Sequence, residues 1–512
     1  MATKIFTSDL KVGMFVADLD RPWVDTPFLL QGFLIEDGEQ IAALQQHCEW
    51  VMVDHARSVG DQYQAPGPGS LSSTIPPGTV RRPPPAQPAP QETRSRPASE
   101  APDSLARAAT AAAGGRAPWR LEDILRRSGG RGGNGEDGGG LKGLFKGLFG
   151  GRSKESAAPA HKPAPPPEPA PETPQEFEAR ASLLPPGIDV QTYQNLVTVE
   201  EEAPRAREVV AQASDLLEKL VADIRLGQSF EVERVEEIVD GMVESIVRNP
   251  QALMWVARLR EQDIATYGHG LQVSVYLTSF GRHLGFPKVQ LSHLAQVGLL
   301  LDIGKMRLPR ELLEKQGRLS DAEFEEAKAH VAHGLEILAE TPGFHADVIS
   351  GIEQHHERMN GSGYPKGLVG EEIGIFGRMA GIVDCFVALT NHRPYAAAVS
   401  SYEALRSIAA WGGDFFHEPL VQQFVSSIGV FPVGSLIELS TGEVAVVVEH
   451  SKVRRLKPRV LLVTGPDKTL ASYPTMMDLL YDPRTAADEP VFIKRGLAPG
   501  AYGLDLRDFY LA

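Results

Sequence analysis

Residues 355–395 read HHERMNGSGYPKGLVGEEIGIFGRMAGIVDCFVALTNHRPY, and the rest of the chain is organised around this stretch. It contains the adjacent histidines His355 and His356, the carboxylate of Asp384 and a Gly-Tyr-Pro turn. A packing core does not need this mixture of metal-ligand types and turn residues. The stretch therefore predicts a functional site.

The two histidines are predicted to end a helix. Apolar residues recur at helical spacing in 348–352, and a breaker run follows at 360–363. Neighbouring helical residues point about 100° apart, so the two imidazoles can serve two metal ions or two sides of one pocket. A second helix is predicted to begin near Ile375 and to carry Asp384 among apolar residues. A carboxylate there is costly unless a cation or hydrogen bonds receive it.

This motif, followed by the IVD helix and RPY, resembles the HD-GYP domain, a bacterial helical phosphohydrolase that hydrolyses cyclic di-GMP at a two- or three-metal centre. The resemblance extends upstream through LLLDIGKMRLPRELLEKQGRL, residues 299–319, and through the first 55 residues. It covers nearly all of the chain outside one linker. It implies a helical, metal-dependent phosphodiesterase.

The resemblance also implies which residues form the site. Asp302 would bridge two ions, and Lys305, three residues later, would donate to a phosphate oxygen. Tyr364 would offer a ring to guanine or form a wall of the pocket. Arg393 would contact the nucleotide or cap a helix. The implied metal ligands are His269, Asp302, His330, His355, His356 and Asp384.

Four imidazoles and two carboxylates suit borderline transition metals rather than calcium. We expect one or two ions, with Fe or Mn as the first choice and Zn as the alternative. Two ions about 4 Å apart can lower the pKa of a water molecule and stabilise charge on phosphorus during in-line attack. His333 and His345 do not match family positions, and we interpret them as surface residues.

Four positions depart from the family pattern. The histidine of the name-giving His-Asp pair is Leu301, and the carboxylate four residues before the first histidine is Ala265. The aspartate of the HHERxDG motif is Asn360, and the second aspartate of the DxxDAL helix is Val387. The first loss is the serious one, because a missing ligand lowers metal affinity unless water fills its place.

Three hypotheses for function follow. The chain hydrolyses cyclic di-GMP with a weakened metal site, or it binds cyclic di-GMP or a protein without catalysis and signals through its appended domains. The third, hydrolysis of another nucleotide, is disfavoured because the Gly-Tyr-Pro segment is intact.

Length and composition bound the architecture. A chain of 512 residues predicts two or three domains. A net charge of -15 argues against general nucleic-acid binding by the whole surface, and we expect no sequence-specific nucleic-acid partner. Cys48 and Cys385 stand in unrelated contexts, which fits a reducing compartment. No stretch of eighteen apolar residues or apolar signal core is present, so we expect a cytoplasmic protein.

We predict a mainly α, multidomain fold. Residues 1–55 form a small N-terminal α/β domain, and residues 56–180, rich in Pro, Gly and Ala, form a disordered linker. Residues 185–430 repeat apolar positions at three and four and form an all-helical HD-type bundle. Residues 431–512 alternate apolar and polar and form a β-rich extension.

One segment of the predicted linker is not typical of disorder. Residues 141–150, LKGLFKGLFG, place leucine and phenylalanine at helical spacing beside two lysines, as in a helix that binds a membrane surface or a protein partner. Its glycines weaken that helix, and a transient sticky motif is the alternative. The sequence leaves a homodimer open.

The linker hypothesis predicts where a protease cuts first. Limited proteolysis of the full chain should cleave within 56–180 and release a stable fragment that begins near residue 185, because this composition cannot offset its ordering entropy. Mass spectrometry of the early fragments measures the sites. First cuts inside 185–430, or a protected linker, would contradict the hypothesis.

Overall fold

The structure, a computed structural model, describes residues 2–20, 33–35, 38–55, 58, 174–259, 268–393, 396–451, 454 and 456–505. The chain divides into two compact units, Met1–Ala112 and Ala113–Ala512, which are described separately below. Most of the predicted linker, including the segment 141–150, lies outside the described residues, as does Ala265.

The first unit is a four-stranded antiparallel sheet with one helix. Its elements are β1 (Ala2–Phe6), β2 (Phe15–Leu19), β3 (Phe33–Leu34), α1 (Gly38–His47) and β4 (Trp50–Asp54), with the sheet order β1-β4-β2-β3. Strand β4 alternates, so Val51 and Val53 are fully buried and pack with Val16 and Leu44. The predicted small α/β fold of this region is confirmed.

The described part of the second unit consists of helices followed by a sheet. The helices are α2 (Pro174–Ala181), α3 (Val199–Arg225), α4 (Val232–Arg248), α5 (Pro250–Leu259), α6 (Gly268–Leu284), α7 (Lys288–Leu300), α8 (Arg310–Leu313), α9 (Asp321–Lys328), α10 (His330–Ala339), α11 (Ala346–Gln354), α12 (Ile375–Thr390), α13 (Ser401–Ala410) and α14 (Glu418–Ile428). Capping boxes at Thr198, Ser320 and Ser400 begin three of them. None of the helices in the described ranges is long and apolar enough to cross a membrane.

Helix α2 requires a correction to the predicted linker boundary. It lies inside 56–180, and its Arg180 side chain is buried and donates a hydrogen bond of 2.8 Å to the carbonyl of Leu284. This single buried arginine anchors α2 on the end of α6. The Pro- and Glu-rich composition around it conceals the contact, so the end of the linker must be placed before Pro174.

Helices α7, α11 and α12 position three of the predicted site residues. Asp302 follows directly after α7, in the turn that begins the 3-10 helix Ile303–Arg307. His355 caps the C-terminus of α11, and Asp384 lies on α12, which begins at Ile375. Both helix predictions made from the 355–395 stretch are therefore confirmed.

A close backbone contact fixes the segment after Asp302. A Cβ added at Gly304 would lie 1.9 Å from the carbonyl oxygen of His330 and 2.4 Å from the amide nitrogen of Gly334. Only glycine therefore lets the 3-10 turn lie against the first turn of α10. This contact sets the distance between Asp302 and His330.

The C-terminal sheet has five antiparallel strands. They are β5 (Leu436–Leu439), β6 (Val444–Glu449), β7 (Arg459–Thr464), β8 (Leu470–Asp478) and β9 (Ile493–Leu497), in the order β8-β7-β6-β5-β9. Gly442, at φ +96°, forms the turn between β5 and β6. Ile437, Ala445, Val447 and Val460 are fully buried in the sheet core. The predicted β-rich C-terminal region is confirmed.

The Gly304 contact predicts opposite effects for its two glycines. Gly304→Ala should lower the free energy of unfolding by about 3 kcal/mol, because the added methyl meets backbone atoms that cannot move aside. Gly334→Ala is the matched control. Its Cβ would meet nothing closer than 3.6 Å, so it should be neutral or stabilise α10 by about 1 kcal/mol. Thermal unfolding compares the two, and equal effects would refute the contact.

Candidate metal centre

The six predicted ligands come together in two overlapping groups. Asp302, His330, His355 and His356 offer ligand atoms that all lie within 4.8 Å of one another. His269, Asp302 and Asp384 form a second group under the same limit. Asp302 belongs to both groups, which is the position expected of a bridging carboxylate. Metal binding by these residues remains a prediction at this point.

The hydrogen bonds of the four-residue group leave ligand atoms facing inward. His330 Nδ1 lies 2.7 Å from the carbonyl of Ala327, and His355 Nδ1 lies 2.7 Å from the carbonyl of Ile352. Because a carbonyl only accepts, each Nδ1 carries the proton and each Nε2 keeps a lone pair. Backbone carbonyls orient metal-binding histidines in this way in known sites.

The inward atoms are buried and have no protein partner. His330 Nε2, His355 Nε2 and Asp302 Oδ1 are each shielded from solvent without a hydrogen bond to any residue in the described ranges. His330 Nε2 is 3.5 Å from Asp302 Oδ1. Unpaired buried polar atoms are costly, and a cation would satisfy all three at once. The group therefore fits a metal ion.

The three-residue group is held by close polar contacts. His269 Nε2 lies 2.7 Å from Asp384 Oδ1 and 3.7 Å from Asp302 Oδ2. Lys305 Nζ donates to Asp302 Oδ2 at 2.6 Å. Lys305 thus neutralises the carboxylate and lies at the edge of the cluster, with one third of its side chain exposed.

Burial keeps the imidazoles of the four-residue group neutral. Desolvation lowers the pKa of His330, brings the pKa of His355 to about 4 and holds the pKa of His356 well below its usual value. A metal ligand must be deprotonated, so these shifts leave the three imidazoles ready to bind a metal at neutral pH.

The two carboxylates are ionised despite their burial. Burial raises the pKa of Asp302, but the Lys305 ammonium and the nearby imidazoles outweigh it, so the pKa lies below its usual range. Burial likewise acts on Asp384, and the hydrogen bond from His269 outweighs it and lowers the pKa. The centre therefore concentrates negative charge in a buried volume, which favours a divalent cation.

The family model of the HD domain matches residues 242–417, and that of a domain of unknown function, DUF3391, matches residues 2–117. The chain is 34% identical over 281 residues to a cyclic di-GMP phosphodiesterase of Pseudomonas aeruginosa, covering 55% of this chain and 67% of that protein. The chain belongs to the HD-GYP type of the HD-domain family. HD domains are metal-dependent phosphohydrolases.

The chain is also similar to a second phosphodiesterase and to a solved structure. The 3'3'-cGAMP-specific phosphodiesterase 3 of Vibrio cholerae is 36% identical over 140 residues, which cover 27% of this chain and 30% of that protein. A solved HDG"Y"P protein from Bdellovibrio bacteriovorus gives a TM-score of 0.36 at 21% identity, over 42% of this chain and 68% of that chain. The DUF3391 match extends past residue 55, so the predicted end of the N-terminal domain stays a prediction.

The GYP loop of the HD-GYP domain is held by a residue that the sequence did not single out. Glu357 is buried, and its carboxylate accepts hydrogen bonds from the amides of Lys366 at 2.7 Å and Leu368 at 3.0 Å. Its signal in the sequence is its place directly after the two histidines. The Tyr364 ring stacks on His356, with 4.6 Å between centroids, so it forms a wall of the centre.

Asn360 has a structural role in the same loop. Its Nδ2 donates to Asp414 at 2.9 Å, and its Oδ1 accepts from the amide of Ser362 at 3.0 Å. An aspartate at position 360 would place its carboxylate against that of Asp414, and neither ionised group could donate a hydrogen bond to the other. This departure from the family motif therefore follows from the loop contact rather than from a change in the metal ligands.

Two of the other departures, Leu301 and Val387, lie in the core. The side chains of Leu301, at the end of α7, and of Val387, on α12, are fully buried. Arg393 follows α12 in a turn closed with Ala396, and its charge acts on Cys385, next to Asp384. Its contact with a nucleotide stays a prediction.

The imidazole pKa values predict the acid sensitivity of the metal-free chain. Between pH 6.5 and about 4 the unfolded chain binds a proton at His355 that the folded chain does not, so stability falls as the pH falls through this window. The loss is about 3 kcal/mol for His355 alone. Urea unfolding of chelator-treated protein at several pH values measures it.

The control for this experiment is His355→Asn, which removes the titrating group. Its stability should depend less steeply on pH over the same window, while His333→Asn, the change of a partly exposed histidine outside the cluster, should keep the steep dependence of the original chain. If the free energy of unfolding of His355→Asn changes with pH as steeply as that of the original chain, the pKa of His355 is not lowered, and the interpretation of His355 as a buried neutral imidazole is wrong.

Proposed function

We propose that this HD-GYP protein hydrolyses a phosphodiester bond of cyclic di-GMP at a two-ion centre that holds one ion well and the other weakly. The observation that supports this proposal is that the ligands form two groups, one of four residues and one of three, which share Asp302. Turnover is slow at ordinary metal concentrations, because the second ion is present only in a fraction of the molecules.

The ligand groups define the proposed occupancy. His330, His355, His356 and Asp302 would hold the first ion, since four protein ligands are a complete set for a tightly bound metal. His269, Asp384 and Asp302 would hold the second. The mixed nitrogen and oxygen donors favour Fe or Mn, with Zn as the alternative. When bound, the ions supply Lewis acidity that activates water and stabilises charge on the phosphate.

The residues of the chain have separate tasks in this proposal. Lys305 lies at the edge of the cluster and donates to a non-bridging phosphate oxygen, which requires that its ammonium leave Asp302 Oδ2 when an ion binds there. Tyr364 fixes the ring of His356 by stacking. Arg393 contacts the nucleotide from the end of α12. Asp302 and Lys305 are thus the proposed catalytic residues.

The choice of substrate rests on the relatives. The Pseudomonas aeruginosa relative is named for cyclic di-GMP, and it shares the longest of the aligned stretches quoted above. The Vibrio cholerae relative is named for 3'3'-cGAMP, which differs in one base, so both nucleotides belong in the first assay. We propose cyclic di-GMP as the preferred one.

The rival function is a non-catalytic module that binds cyclic di-GMP or a protein and signals through the appended domains. The buried apolar side chains of Leu301 and Val387 favour it, because they stand where the family has polar residues. Further proposals are a cytoplasmic location, a homodimer, a partner or membrane contact through 141–150, and the domain limits at 55, 185 and 431.

The lost histidine gives the decisive experiment. Leu301→His should raise the metal content and increase the turnover of cyclic di-GMP by about tenfold or more, because the other ligands of the weak ion are already in place. Protein purified without chelator is assayed with added Mn or Fe, and metal content per chain is measured on the same sample.

Leu301→Gln is the control for this experiment, because it places a polar side chain of similar size at the same position without an imidazole. It should lower stability and leave turnover unchanged. Nucleotide binding with no turnover in both the original chain and Leu301→His would favour the binding module. A fast, fully metallated original chain would show that the leucine does not limit the second ion.

A further inference from the structure

A second cluster of ligand-type side chains lies outside the HD-GYP centre. His293 is on α7, His345 is the residue before α11, and Asp347 is in the first turn of α11. Each offers one ligand atom, and these atoms all lie within 4.8 Å of one another. Neither family resemblance nor sequence spacing pointed to them, since His345 was interpreted as a surface residue.

The distances in this cluster match those around a metal ion. His345 Nδ1 lies 3.3 Å and His293 Nδ1 lies 3.9 Å from the same oxygen, Asp347 Oδ2. Two ligands each about 2.1 Å from a tetrahedral ion lie about 3.4 Å apart. The two imidazole rings stack with 4.3 Å between centroids. The lone pair of each Nδ1 lies in its ring plane, so the half-exposed His345 ring has to rotate out of the stack for all three ligand atoms to face one ion.

The cluster is both unsatisfied and accessible. His293 Nδ1 is buried and has no hydrogen-bond partner within the described part of the chain. The side chains of His345 and Asp347 are 56% and 53% exposed, so an ion can enter from solvent. A cavity lies beside His293. Its lining includes the carboxylates of Glu236 and Asp240 and the ammonium of Lys288, so its net charge is negative and attracts cations.

We propose that His293, His345 and Asp347 bind one transition-metal ion, with water completing its coordination. Two imidazoles and one carboxylate are the donor set of open zinc sites and suit Zn, Co or Ni better than Mg or Ca. In the ion-free structure His345 Nδ1 accepts a hydrogen bond of 3.2 Å from the amide of Asp347. The ion replaces this hydrogen bond as the partner of His345.

The position of the site connects it to the HD-GYP centre. Helix α7 runs from His293 to its end just before Asp302, and α11 runs from Asp347 to its end at His355. An ion at the second site therefore fastens together the two helices whose C-terminal ends supply centre ligands. This makes it a site through which metal availability can act on the centre from a distance.

The test counts ions per full-length chain. His345→Ser removes the imidazole but keeps a side chain that caps α11, and Asp347→Asn removes the carboxylate charge. Cobalt titrated into each chelator-treated protein should show one ion fewer per chain than in the original, or an affinity for that ion weaker by about 100-fold or more. His333→Ser is the matched control, because His333 Nδ1 also lies 3.4 Å from a carboxylate, that of Glu336, but His333 belongs to no three-ligand group among the described residues.

Two comparisons overturn the proposal. It is wrong if His345→Ser binds as many ions as the original chain with the same affinities, or if His333→Ser loses an ion to the same extent. To separate this site from the HD-GYP centre, His345→Ser is repeated in a His330→Asn background. The numbers of bound ions lost in the two single variants should add in the double variant. If the double variant loses no more ions than His330→Asn alone, the ion lost in His345→Ser belongs to the HD-GYP centre.

Discussion

The burial of two ionised carboxylates in one small volume is the constraint on which the helical domain depends. Asp302 and Asp384 are both buried with lowered pKa values, and the nearest ammonium is that of Lys305. The imidazoles around them are mostly neutral, so they add ligand atoms without adding positive charge. Both carboxylates have a partner, but Asp302 Oδ1, His330 Nε2 and His355 Nε2 are buried without a hydrogen bond in the described part of the chain. Unpaired buried polar atoms are costly, so a cation bound among these atoms would also stabilise the folded domain.

The fold meets this constraint by ending helices at the centre. Asp302 follows the last turn of α7 and His355 caps α11, so both lie where a helix ends and the chain turns. The His355 imidazole contacts a carbonyl three residues back in its own helix, and the His330 imidazole contacts the carbonyl of Ala327 in the preceding helix, α9. Gly304 lets the 3-10 turn after Asp302 approach the first turn of α10 to backbone contact. Rigid helices set the positions, and short irregular segments make the final adjustment.

The sequence predicted the parts of this arrangement that local pattern records. Two histidines before a breaker run had to end a helix, and Asp384 on an apolar helix had to be received by a charge. Glu357 was not predicted, since its role depends on amides nine and eleven residues away in a loop whose path no periodicity reveals. Helix α2 was missed because a contact across 104 residues, from Arg180 to the carbonyl of Leu284, helps to attach it, and local pattern does not record such a contact. The meeting of His293 with His345 was missed for the same reason, as tertiary packing alone brings α7 beside α11.

The lost histidine has an asymmetric effect because Asp302 is shared. Leu301 precedes the shared aspartate, yet the group of four is complete without it. The loss therefore falls on the group of His269 and Asp384, where the imidazole is instead paired directly with the carboxylate at 2.7 Å. This contact occupies a ligand atom of each side chain, so an ion bound at this group would have to break it. In the proposed two-ion model, occupancy of the second position, and with it turnover, would therefore follow the concentration of metal in the surroundings.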